Sequence, residues 1–312
     1  MIYAREAGDV PRQATLLMNL GGLSCDLGEY EQAKDFLREG LGLARQCNHK
    51  GVMSPLLLNL GVVAGSLGNM AQEEAYYQEA LTIAREMEHQ EDIAYLLTNL
   101  GASAADRGDF DQAESYLQEG LIIARQIGHR EREGSLLRHL GELALNQTLY
   151  DQAKFYLDEA LALARGLNHS KNELVALASL GELYCRQNRF KLAKEYLQQA
   201  LKQARDNGQR WHVCDLLIKQ GSLHLSQEKV ELAANAHGEA LHLAEELGER
   251  RLKATALAEL ARVAVAQDDV SAALDYGRQS LVIFESLGHC NKSRSESNWY
   301  QSVPGYGYLT SV

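Results

Sequence analysis

Apolar residues recur along this chain with two superposed periods. Locally they follow helical spacing, as in Ile93, Leu96, Leu97, Leu100 and Ala104, and again in Ala113, Leu117, Leu121 and Ala124. Over longer distances the whole pattern returns every 40 residues, seven times, without an insertion or deletion. Leu20-Gly21 comes back as Leu60-Gly61, Leu100-Gly101, Leu140-Gly141 and Leu180-Gly181, then decays to Gln220-Gly221 and Leu260-Ala261. Leu41 recurs as Leu81, Leu121, Leu161, Leu201, Leu241 and Leu281. A fixed period of this kind predicts an all-α solenoid, in which each unit buries its apolar face only against its neighbours.

One unit, residues 91–128, shows the expected elements. A first helix runs through Leu100-Gly101 and stops at Gly108, which supplies a left-handed C-terminal residue. Asp109 is placed to cap a second helix, Asp111 favours its positive end, and Gly128-His129 closes it. Close approach of two helices needs small residues, so Gly101 is expected to face Ala113 or Gly120. The first of these sites recurs as Ala33, Ala153, Ala193, Ala233 and Ala273; Glu73 breaks the row and predicts local loosening. A row of aromatics, Phe36, Tyr76, Tyr116, Tyr156, Tyr196 and Tyr276, reads as packing between helices rather than as a stacking platform for a ligand.

The register divides the chain into three parts. Residues 1–10 read as the end of a truncated upstream unit, because Ile2-Tyr3-Ala4-Arg5 aligns with Gly42-Leu43-Ala44-Arg45. Residues 11–289 hold the seven units, and 290–312 form a tail without the pattern, with Trp299 and Tyr300 as its docking candidates against partial disorder. The last two units depart from the pattern at Gln220, Ala236, His237 and Ala261. Phe284 replaces an alanine row and is expected where no further helix packs closely.

Composition narrows the function. A net charge of −11 argues against a nucleic-acid partner. No apolar run is long enough for a membrane span, and the start is not a signal peptide. The five cysteines form no C-x-x-C pair and suit a reduced, cytoplasmic setting. His49, His89, His129, His169 and His289 share one position, but a whole unit separates each from the next. They read as residues at helix C-termini rather than zinc ligands. No phosphate-binding loop, zinc-protease or serine-hydrolase motif occurs, so neither a cofactor nor an enzyme is expected.

The order Asn-Leu-Gly, a turn with Gly-Asp/Glu-Tyr/Phe, then Ala-x-x-Tyr-Leu-x-x-Ala-Leu resembles the tetratricopeptide repeat. Its clearest copy is Asn99-Leu100-Gly101 with Asp109-Phe110 and Ala113. The family's usual closing proline is replaced by Arg45, Arg85, Arg125, Arg165 and Arg205, so the helices lengthen. Such long repeats are similar to those of kinesin light chains, Leu-Gly-Asn-repeat adaptors, peptide-sensing regulators of Gram-positive bacteria and, most of all, the sensor arrays of bacterial STAND ATPases. The resemblance implies a right-handed superhelix of antiparallel helix pairs whose first helices line a concave groove. It implies a peptide-contacting Asn at Asn19, Asn59 and Asn99, a position that continues as His139, Ser179, Lys219 and Glu259. The neighbours of that position on the same face are Tyr95, Asp106, Arg138, Glu142, Glu182, Arg186 and Arg262. Arg138 with His139 is the spot most welcoming to an anion; Asn59 and Asn99 lack the basic partners of a carboxylate clamp. The expected function is a non-enzymatic scaffold binding a protein or peptide in that groove, as the sensor or recruiting array of a larger regulator. The alternative is an array that self-associates end to end.

Overall fold

The computed structural model describes residues 9–287; the expectations placed on residues 1–8, on His289 and on the tail lie outside them. The chain forms two compact units that divide between His139 and Leu140. The first contains α1 (Val10–Asp26), α2 (Tyr30–Gln46), α3 (Lys50–Ser66), α4 (Met70–Glu86), α5 (Gln90–Arg107), α6 (Phe110–Gln126) and the beginning of α7 (Arg130–Asn146). The second contains the rest of α7, then α8 (Tyr150–Gly166), α9 (Ser170–Arg186), α10 (Phe190–Asp206), α11 (Arg210–Ser226), α12 (Val230–Leu247), α13 (Arg250–Ala266) and α14 (Val270–Ser286). The described residues contain no strand.

Connections of two or three residues turn each helix back on the last, so odd-numbered first helices pair with even-numbered second helices. The turns share one device. At the end of α5, Gly108 takes φ of 84° and lets Asp109 donate its N–H to the Ala104 carbonyl at 2.9 Å. Glycine adopts that left-handed conformation without the Cβ clash that other residues suffer. The same bond recurs after α2, where His49 donates to Ala44, and after α4, where His89 donates to Ala84.

Burial follows the helical period. In α6 the buried residues are Ala113, Leu117, Gly120, Leu121 and Ala124, one stripe of the helix. Leu121 is only 3% exposed, and burying such a side chain contributes about 2–3 kcal/mol. Gly101 lies under Leu117 rather than under either small residue named for it: a Cβ there would sit 2.6 Å from Leu117 Cγ, with the Ala113 carbonyl at 3.3 Å. Gly120 instead opposes Leu136 and Leu97, so its small size admits the next first helix. In four first helices the glycine (Gly21, Gly101, Gly141, Gly181) is a socket for a leucine knob; Gly61 receives Tyr77 and Gly221 receives His237.

Two other expectations are corrected. Glu73 is accommodated by its own glycine, since a Cβ on Gly65 would lie 2.8 Å from its carboxylate. Ser103 donates to Glu73 at 3.1 Å, and burial pushes its pKa up. Two of the periodic histidines, expected at helix C-termini, use their side chains at the start of the next helix, whereas His49 and His89 make no such bond. His129 and His169 accept the backbone N–H of Arg132 and Asn172 through Nδ1, each at 3.2 Å. A position between two close helices belongs to either by sequence; the acceptor nitrogen turns it to the following N-terminus. Phe284 is buried, at 1% exposure, and the residues that would follow its helix lie outside the described ones.

Three of the arginines that replace the family's proline link successive second helices, while Arg125 and Arg165 pair with Glu133 and Glu173 of the following first helices. Arg45 pairs with Glu79 and Arg85 with Glu119, both at 2.6 Å, in the first unit; Arg205 pairs with Glu239 at 3.3 Å in the second. These pairs are about half exposed and contribute little each.

Candidate functional site

The first helices carry the candidate residues, and their neighbours are set by one offset. Adjacent first helices touch through residues 37 apart, one turn short of a full repeat. Arg132 lies over the Tyr95 ring at 4.1 Å. Ser179 donates to Glu142 at 2.8 Å, Lys219 to Glu182 at 2.8 Å, and Ser222 to Glu259 at 3.3 Å.

In the first unit, Asn19 is exposed, while Asn59 and Asn99 are half-buried. The residues 37 before Asn59 and Asn99 are Gly22 and Val62, which offer no polar side chain. The Asn99 Nδ2 is buried and has no hydrogen-bond partner among the described residues. A buried amide donor left in this state has forfeited its hydration without replacement, and it retains full capacity for an acceptor. Half-buried Tyr95 is fixed from above by the Arg132 guanidinium, a cation–π contact that also holds Arg132 on this face. Asp106 is exposed and close enough to Glu73 to add to the upward push on its pKa. Arg138 Nη2 and His139 Nε2 are 2.6 Å apart, which requires the histidine nitrogen to be the acceptor. The two side chains named as an anion-friendly spot are therefore brought together.

In the second unit the same position is closed. Glu182 is held by Lys219 at 2.8 Å and Arg186 at 2.6 Å. The Lys219 charge, aided by Arg186 and opposed by burial, lowers the Glu182 pKa to about 2. Burial works against the Lys219 ammonium, but Glu182 prevails and raises its pKa above the ordinary lysine range. Arg186 also donates to the Leu145 carbonyl at 3.1 Å. Glu142 accepts from Ser179, and Arg262 pairs with Glu259. Glu142, Glu182 and Arg186 thus brace neighbouring helices or turns, while the Arg262–Glu259 pair lies within one helix.

Arg132 was not selected from sequence as a member of this surface, and Lys219 was placed in its row without its partner Glu182. Their signal was the 37-residue offset, visible only once two first helices stand side by side. The described residues contain no group of three or more His, Cys, Asp or Glu able to hold a metal ion. No helix among them is long and apolar enough to cross a membrane.

A tetratricopeptide-repeat family model matches residues 12–86, 92–165 and 132–206. A model of anaphase-promoting complex subunit 5 matches residues 175–267. No curated protein matches the chain. Among solved structures, a Rap protein complexed with Competence and Sporulation Factor superposes with a TM-score of 0.75 at 16% identity, over 88% of this chain and 76% of that one. The Rap conjugation gene regulator of a plasmid, in complex with the Phr* peptide, gives 0.74 at 12% identity over 93% and 78%. A STAND protein with a tetratricopeptide repeat sensor, from Pyrococcus horikoshii, gives 0.61 at 18% identity over 95% of this chain and 46% of that protein. At such identities the likeness is one of fold.

Proposed function

Because the chain belongs to the tetratricopeptide repeat family, we propose that it is a non-enzymatic scaffold that binds an extended peptide or protein segment along its first helices. The observation that carries this reading is the Asn99 amide, buried without a partner on a face where the same position of the second unit is cross-braced. Asn19, Asn59 and Asn99 offer a donor and an acceptor each, the pairing an extended backbone needs, without reading its side chains. Tyr95 and Asp106 flank the row, and Arg138 with His139 takes an acidic or C-terminal group of the ligand. Support comes also from the two similar Rap proteins, one complexed with Competence and Sporulation Factor and one with the Phr* peptide.

In this reading the seven repeats over 11–289 form the sensor or recruiting array of a larger regulator. The STAND protein, of which this chain spans 46%, carries a sensor of the same repeat type. Cys25, Cys47, Cys185 and Cys214 form no disulfide among the described residues, which supports a reducing, cytoplasmic setting.

The test is the pair Asn59→Ala with Asn99→Ala. Peptides selected from a random display library on the unaltered protein are titrated against both proteins. Binding should weaken by about 1–3 kcal/mol, the range for lost hydrogen bonds with buried partners. Folding should stay nearly intact. A destabilised fold with unchanged binding would make these asparagines structural and move the recognition surface elsewhere.

A further inference from the structure

The second unit contains a cleft where the aromatic row fails. Six helix pairs carry Phe36, Tyr76, Tyr116, Tyr156, Tyr196 or Tyr276 at one position, and the sixth in chain order carries Ala236. Between α10, α11 and α12 a cavity of about 500 Å³ opens against Ala236, with Leu201, Leu217, Gln220, His224 and Lys202 among its walls. A cavity of about 210 Å³ in the first unit overlaps this place only in part, through Leu60, Ala64, Gln72 and Tyr76. The space beside Ala236 reaches the size of small-ligand sites.

Three features define what fits. In the preceding pair the Tyr196 ring stacks on Tyr184, with centroids 5.4 Å apart and planes 19° from parallel. The corresponding positions here are Ala236 and His224, so the imidazole stands where a ring would be stacked upon and the stacking partner is missing. His224 Nδ1 is buried and has no hydrogen-bond partner among the described residues. Gln220 replaces the leucine of its row and puts an amide in the wall. Arg205, also in the wall, is tied to Glu239, and the charged residues Lys202, Arg205, Asp206 and Glu239 balance in sign. The site therefore selects a neutral planar ring with a hydrogen-bonding group rather than an anion.

We propose that this cleft binds a phenol, stacked on His224 in the place of the missing tyrosine and hydrogen-bonded by His224 or Gln220. The site lies wholly within the second unit and does not depend on the peptide-binding reading of the first helices. A tyrosine side chain of a partner and a free phenolic metabolite share this chemistry.

The test is a titration of the full chain with p-cresol, followed through the imidazole resonances of His224. Saturable shifts in the millimolar range are expected, with toluene at least several-fold weaker. Ala236→Tyr, which restores the residue of the other pairs, should abolish the shifts with unchanged circular dichroism. Gln220→Leu is the second variant and should weaken binding several-fold. No saturable shift, equal binding of toluene, or p-cresol binding unaltered in both variants would overturn the proposal. Tighter binding of N-acetyl-tyrosinamide than of p-cresol assigns the source to a peptide tyrosine; weaker binding assigns it to a free phenol.

Discussion

The first helices of the two units hold the same backbone position in different chemistry. In the first unit that position is Asn59 and Asn99, opposite Gly22 and Val62 in register, and an amide is left without a partner. In the second it is Ser179, Lys219 and Glu259, bonded to Glu142, Glu182 and Ser222. The residue 37 places earlier decides which role the position takes. A polar side chain there turns it into a brace between helices; a glycine or valine offers it no partner. A repeat array can thus hold one position in two bonding states without changing its backbone.

The knob and socket differ between the units in the same way, and this difference predicts the largest effect. Gly101 receives Leu117 in the first unit; Gly221 receives His237 in the second, where a Cβ would lie 2.4 Å from the ring. His237 is 0% exposed, and neither ring nitrogen has a hydrogen-bond partner among the described residues. Burial, with Arg262 and His224 adding to it, lowers its pKa from 6.5 to about 4. The folded state then binds fewer protons than the unfolded chain between those values. Stability should be complete above pH 6.5 and fall as pH drops toward 4, by about 3 kcal/mol in all. His237→Leu restores the leucine knob of four other pairs. It should gain about 1–3 kcal/mol at pH 7 by removing two unpartnered nitrogens, and it should lose this acid dependence. Denaturant titrations at pH 7, 5.5 and 4 measure both. An identical pH slope in variant and parent would mean that the histidine is hydrated and that the two sockets are not equivalent.

The brace itself predicts a smaller effect. Lys219→Asn gives the second unit the chemistry of the first. Glu182 would keep Arg186 but lose its largest electrostatic partner, and the fold should lose about 1–2 kcal/mol at pH 7. The Glu182 carboxyl should titrate well above its parent value of about 2 when followed by carbon NMR. In the parent, the stability from this depressed carboxyl is present above its ordinary pKa of 4.5 and is lost as pH falls toward 2. An unmoved Glu182 titration would show that Arg186 alone sets it and that the offset of 37 carries no energy.

Much of this architecture was legible in the sequence because it is local. Gly108 and the apolar stripe of α6 depend on residues within a few turns, and the helices follow them. The partners of the small residues were less legible. Gly120 and Ala113 sit on one helix, but only packing shows that Gly120 serves the next pair. The asparagine row could be placed on one face by counting, yet whether an amide is free depends on Val62 or Glu182 in another helix. Ala236 was visible as a break in a row; the cleft it opens, and the His224 ring at its wall, are properties of three helices together.

The smallest prediction concerns the turns. Gly108 and Thr148 close first helices in the two units with φ of 84° and 61°. Both turns keep their backbone bonds: Asp109 to Ala104 and Leu149 to Ala144, each at 2.9 Å. A left-handed conformation costs an ordinary L-residue about 1–2 kcal/mol, and a β-branched threonine is least suited to it. Glycine removes that clash but loses more backbone entropy, about 0.5–1 kcal/mol. Thr148→Gly should therefore stabilise its turn by about 0.5–1 kcal/mol, and Gly108→Thr should cost a similar amount. Amide hydrogen exchange at Leu149 and Asp109 reads the two turns separately: slower exchange is expected at Leu149 in the first variant and faster exchange at Asp109 in the second. If Thr148→Gly instead speeds exchange at Leu149, the threonine side chain contributes more to that turn than its strained φ costs, and the two units differ there in bonding rather than in strain.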